Sequence, residues 1–93
     1  MANKAHAATV RRLSERYRIP AGQAYDLAGE GLIIEVETAA TVSEGVRKLK
    51  EASGRRFVAM TNKESISDAV ELTSATDIGV MGPRGEVVKE AGN

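Results

Sequence analysis

The chain changes its hydrophobic period at Leu32, and that change dictates the class of fold. In "LIIEVET", residues 32–38, Leu32, Ile34 and Val36 point one way and Ile33, Glu35 and Glu37 the other, which is the period of a strand. "TVSE" at 41–44 then matches a capping box, in which Thr41 accepts from the Glu44 amide and the Glu44 side chain reaches back. Val42, Val46 and Leu49 come next at helical spacing, Ala52 lies one turn further, and Gly54 ends the helix. "RRFVAM" reads as an apolar strand. The unit recurs with "TNKE" at 61–64, a second capping box or an Asn62 cap, ahead of a helix that carries Ile66, Ala69, Val70 and Thr73 inward, and "DIGVM" is a third strand. "GPRG" at 82–85 is strong turn chemistry, so "EVV" returns as a short antiparallel strand.

Upstream, "HAATVRRLSERY" sets His6, Val10, Leu13 and Tyr17 on one helical stripe. Pro20 stops that helix and suits the first turn of another, "PAGQAYDLAGEG", in which Ala24, Leu27 and Ala28 share a face and Gly29 or Gly31 supplies the exit. The predicted order is α-α-β-α-β-α-β-β, a single α/β domain over residues 1–93. It comprises a helical pair at 1–30, a small open mostly parallel sheet with crossover helices at 31–89, ending in an antiparallel hairpin, and a frayed tail at 90–93. Strands that alternate with helices of about ten residues imply right-handed parallel crossovers.

Ninety-three residues, 42% of them hydrophobic, fit one domain that buries only about two thirds of its unfolded surface. No apolar run approaches the roughly 20 residues of a membrane span, and the N-terminus lacks the apolar core of a signal peptide, so a soluble cytoplasmic protein is expected. The absence of cysteine removes disulfide and thiolate chemistry, and a lone His6 leaves no set for structural zinc. Few amide side chains and an excess of arginine over lysine, 8 against 5, hint at a thermophile.

The net charge is zero but unevenly spread: +4 over residues 1–20, −5 over 21–46, +4 over 47–57 and −3 over 58–93. Arg11, Arg12 and Arg16, with Arg47, Lys48, Arg55 and Arg56, would form a phosphate-contacting surface for DNA or RNA if the helix at 6–17 and the helix at 42–53 lay on the same side. Aromatic residues are too few for stacking on single-stranded bases.

Ligands in open α/β sheets collect beyond the carboxyl ends of the strands. That rule gathers Glu35, Glu37 and Thr38, then Thr61, Asn62 and Lys63, then Arg84, the last four forming a candidate ligand site. Carboxylates at i and i+2 on one strand face suit Mg²⁺, so Glu35 and Glu37 are the candidate metal ligands, set against the plainer reading of a solvated strand face. His6 reads as structural.

"LIIEVET", "TVSEGVRKLKEASG" and "RRFVAMTNKESISDAVEL" together resemble the later half of the restriction-endonuclease-like nuclease superfamily, particularly its Mrr-like and Holliday-junction-resolvase-like branch, over about residues 31–80. The resemblance implies that Glu35 is the metal-binding carboxylate and Val36 the variable position. Glu37 stands where that family has its catalytic lysine. The chain lacks room for the two preceding strands, one of which supplies a metal-binding aspartate, and Asp26 falls in the predicted second helix. The expected protein is therefore a truncated relative without catalytic residues or cofactor, acting as a nucleic-acid-associated or protein-interaction module and self-associating as a homodimer through open sheet edges. The rival is a Mg²⁺-dependent DNA nuclease assembled as a dimer, with Lys63 as the replacement cation. A small-ligand or regulatory domain using the strand-end loops is the third expectation.

Overall fold

The computed structural model describes residues 4–92. Its elements are α1 (Lys4–Tyr17), β1 (Leu27–Gly29), β2 (Leu32–Glu37), α2 (Val42–Lys50), β3 (Arg55–Met60), a 3₁₀ turn at Lys63–Ser65 leading into α3 (Ile66–Leu72), β4 (Gly79–Met81) and β5 (Val87–Lys89). The strands form one five-stranded sheet in sequence order. β2, β3 and β4 run parallel, and β1 and β5 pair antiparallel at the two edges. Among the described residues no helix is long and apolar enough to cross a membrane.

Alternation along the strands divides the core into two layers. Ile34, Val36, Phe57, Ala59 and Met81 face α1 and pack with Leu13 and Ile19. Val58, Met60 and Val80 face the other way, against Val42, Val46 and Leu49 of α2 and Ala69 of α3. Both crossover helices therefore cover one face, as two right-handed connections stepping in the same direction require, and α1 covers the opposite face. α1 is fastened to the β4–β5 turn by side-chain bonds to carbonyls: Arg12 to Pro83, Arg16 to Arg84 and Tyr17 to Gly85.

The expected second helix does not form. Residues 18–26 are irregular, tied by Gly22 N–H to the Asp26 carbonyl, and Leu27–Gly29 is a strand. The cause lies in Glu30 and Gly31, both at positive φ (56° and 78°), the conformation of a two-residue hairpin turn that folds β1 back on β2. A hairpin satisfies the backbone of 27–29 and buries Leu27 completely, which an exposed helix with two glycines would not. β2 is thereby an interior strand; β5 is an open edge, whereas the outer side of β1 is bridged to Ala21, with the Ala28 N–H donating to the Pro20 carbonyl. The tail is not frayed through Gly92: Ala91 packs on the α1-side core and Gly92 N–H donates to the Asp77 carbonyl at 2.8 Å. Asn93 lies outside the described residues.

Both crossover helices end on a buried or half-buried cation, which satisfies carbonyls that a helix C-terminus leaves open. Lys89 donates to the carbonyls of Thr73, Thr76 and Ile78 beyond α3. Arg56, 7% exposed, donates to Leu49 (2.8 Å), Ala52 (3.0 Å) and Gly54 (3.1 Å) beyond α2 and pairs with Asp77. Arg56 is therefore no part of a nucleic-acid surface. Arg56→Met, which keeps the stem and deletes the donors, is expected to lower stability by about 2 kcal/mol in urea denaturation, because it strands buried carbonyls.

Candidate metal centre

The β1–β2 hairpin pairs residues whose numbers flank the Glu30–Gly31 turn symmetrically: Leu27 with Ile34 and Gly29 with Leu32. One step beyond, Asp26 stands opposite Glu35. The two acids are locked by reciprocal backbone contacts, the Asp26 N–H donating to Glu35 Oε1 at 2.7 Å and the Val36 N–H to Asp26 Oδ2 at 2.8 Å. Glu37 lies on the same face of β2 as Glu35. Asp26, Glu35 and Glu37 each present an oxygen within 4.8 Å of the others.

α2 closes over this trio. Glu35 is 4% exposed, so it does not belong to a solvated strand face. Gly45 lies directly above Glu37: a Cβ there would sit 2.5 Å from both Cγ and Oε2 of the glutamate. One turn on, Lys48 Nζ reaches 3.5 Å from Glu35 Oε2 and stands over the Tyr25 ring, 5.1 Å from its centre. Between α2 and β2 opens a cleft of about 260 Å³ lined by Glu35, Glu37, Gly45, Arg47 and Lys48. A second cleft, about 430 Å³, lies on the α1 side of Asp26, lined by His6, Val10, Arg11 and Ser14. His6 Nε2 is 3.2 Å from Asp26 Oδ2.

The electrostatics are those of excess negative charge. Glu37 is raised from 4.5 to about 7, first by burial and then by the charges of Glu35 and Asp26, against a lowering hydrogen bond from Thr41. Burial of carboxylates without matching cations is costly; Lys48 faces Glu35 and His6 faces Asp26, while Glu37 has no cation against it among the described residues. A hard divalent cation, which prefers carboxylate oxygen, would supply one. No protein-family model, curated protein or solved structure matches the chain. The cluster must be read from its own chemistry.

The other predicted site residues fall into separate places. α1 and α2 lie on opposite faces of the sheet, so Arg11, Arg12 and Arg16 do not share one surface with Arg47 and Lys48. Arg47 pairs with Glu44, while Arg55 pairs with Glu90 and stacks on Phe57. Thr61 donates its N–H to the Glu37 carbonyl, and Asn62 caps the 3₁₀ turn by accepting from Ser65 N–H. Thr41 makes no such cap; its hydroxyl accepts from Thr38 N–H instead, and Glu44 is turned to Arg47. Lys63 lines a groove beside α3, not the carboxylate cleft, and Arg84 sits in the turn under α1. Asp26, Gly45 and Lys48 are the residues that the strand pattern alone does not assign to the centre. The signal for Asp26 is present: a two-residue turn at Glu30–Gly31 places it opposite Glu35.

Proposed function

We propose that the Asp26–Glu35–Glu37 cluster holds a divalent cation of the Mg²⁺ or Mn²⁺ class and that the chain hydrolyses phosphodiester bonds of nucleic acid. The observation that carries this reading is the convergence of three carboxylates under α2 with Lys48 beside them. The cation would neutralise the phosphate and act as Lewis acid. Asp26 and Glu35, held by the Val36 and Asp26 N–H groups respectively, would be the rigid pair of ligands. Glu37, less buried than Glu35, would take the proton of the attacking water as its oxygen bonds to phosphorus and the ester bond breaks, with the leaving oxygen taking a proton from solvent. Lys48 provides a positive charge for the phosphate oxygens, the part for which the sequence pattern offers Lys63.

Nucleic acid, as the substrate class, rests on the resemblance to restriction-endonuclease-like enzymes; in the cleft itself Lys48 is the cation beside the carboxylates, since Arg47 is paired with Glu44. The resemblance to restriction-endonuclease-like enzymes supports Glu35 as a ligand; Asp26 is the candidate for that family's aspartate, and Glu37 stands where the family has its lysine. A binding domain without cleavage uses the same cations and needs no metal.

Labelled single-stranded, duplex and branched DNA, and RNA, incubated at low and moderate salt with Mn²⁺, Mg²⁺ or EDTA, separate these readings. Cleavage that requires the metal is expected. Salt-sensitive binding in EDTA without cleavage in metal would favour the binding domain, and neither binding nor cleavage would sink both. Gly45→Ala supplies a finer check. Alanine favours the helix by about 1 kcal/mol, which offsets the cost of displacing Glu37, so stability should change by less than about 1 kcal/mol while cleavage falls on the order of tenfold.

A further inference from the structure

The face of α3 turned away from the carboxylate centre carries a second unassigned feature. Lys63, Ile66, Val70 and Glu71 line an open groove of about 700 Å³ with Val88 of β5, which is 48% exposed. β5 is also an edge strand, with the backbone groups of its outer side unpaired by the sheet. Such an apolar groove against an open edge is unusual for a small monomer.

The charges along the groove identify its occupant. Lys63, which opens the 3₁₀ turn ahead of α3, and Glu71, in the last turn of α3, stand at opposite ends of it. Among the described residues neither has an ion-pair partner. A surface with an apolar centre, a cation at one end and an anion at the other is complementary to itself under a two-fold rotation, which sets each Lys63 against the partner's Glu71.

We infer that the α3–β5 groove is the interface of a homodimer, in which α3 of one copy lies antiparallel against α3 of the other with Ile66, Val70 and Val88 at the centre. The apolar residues supply the association, and the two symmetric Lys63–Glu71 contacts fix its direction. The inference is independent of metal binding, because the groove shares no residue with the carboxylate cleft.

The test is sedimentation of the full chain and its variants across the micromolar to millimolar range, with circular dichroism to establish folding. The wild-type chain is expected to show a concentration-dependent dimer. Lys63→Glu and Glu71→Lys should each weaken it on the order of tenfold, and the double reversal should restore it, since the pairs are rebuilt with opposite sign. Val88→Lys, at an exposed position, should weaken it on the order of a hundredfold. A chain monomeric at every concentration would overturn the inference and leave the groove to a different partner. A dimer indifferent to Val88→Lys, or one that the double reversal fails to restore, would overturn it as well.

Discussion

A Glu35→Gln protein is expected to fold normally and to cleave nucleic acid at least about 1,000-fold more slowly than the wild type in saturating Mn²⁺. Glutamine is nearly isosteric and keeps a carbonyl oxygen to accept the Asp26 N–H, so the hairpin retains its lock. What is lost is the charge of the most buried ligand. Lys48, half exposed, remains hydrated, and the repulsion that Glu35 exerts on Glu37 disappears, so stability should not fall. Asp26→Asn should behave alike, whereas Glu30→Gln, on the exposed hairpin turn, should cleave as the wild type does. Parallel loss in the first two variants, with unchanged denaturation midpoints, would separate a ligand role from a structural one. Unaltered cleavage in Glu35→Gln would remove the cluster from the mechanism.

Glu37→Gln is expected to trade stability against activity in a pH-dependent way. In the metal-free chain the folded state holds the Glu37 proton more tightly than the unfolded state, about 7 against 4.5. The resulting stabilisation is fully present below about pH 4.5 and is lost as the pH rises through about 7. A shift of that size corresponds to about 3 kcal/mol for a buried group and, after discounting for the solvent screening of a half-buried one, to about 2 kcal/mol. Glutamine is neutral throughout. The variant should thus be about 2 kcal/mol more stable than the wild type near pH 8 and indistinguishable from it near pH 4, by urea denaturation in EDTA. Mn²⁺ should reverse the order near pH 8, since the ion stabilises only a folded state that binds it. Cleavage by the variant should fall on the order of a hundredfold. Equal stability of the two proteins at both pH values would show that Glu37 carries no excess charge.

The half-buried Glu37 and its neighbours also mark the boundary of what the sequence makes legible. The strands at 32–37, 55–60 and 79–81, their parallel pairing and the returning β5 are set by apolar runs, period and turn chemistry, with β3 and β4 apolar and buried on both faces as interior parallel strands are. The Asn62 cap is local chemistry as well. The segment at 18–31 misleads for a physical reason: Glu-Gly is a weak hairpin signal beside Asn-Gly, and Ala24, Leu27 and Ala28 fit a helical face by chance. With the hairpin hidden, Asp26 is hidden too, and with it the third carboxylate. Which face α1 covers is set by packing at long range, so the separation of Arg11 from Arg47 is not visible in the charge pattern. Arg56 looks like surface charge because the carbonyls that bind it, on Leu49, Ala52 and Gly54, come together only when α2 ends over β3.

The most direct test of the centre is calorimetric titration of Mn²⁺ into the metal-free protein near pH 6, below the value of about 7 to which Glu37 is raised, repeated with Asp26→Asn and Glu35→Gln. Uptake of one ion per chain, accompanied by proton release from Glu37 and abolished in both variants, is the expected result. Absence of uptake by the wild type, or uptake that survives both substitutions, would contradict the proposal that these carboxylates form a metal centre.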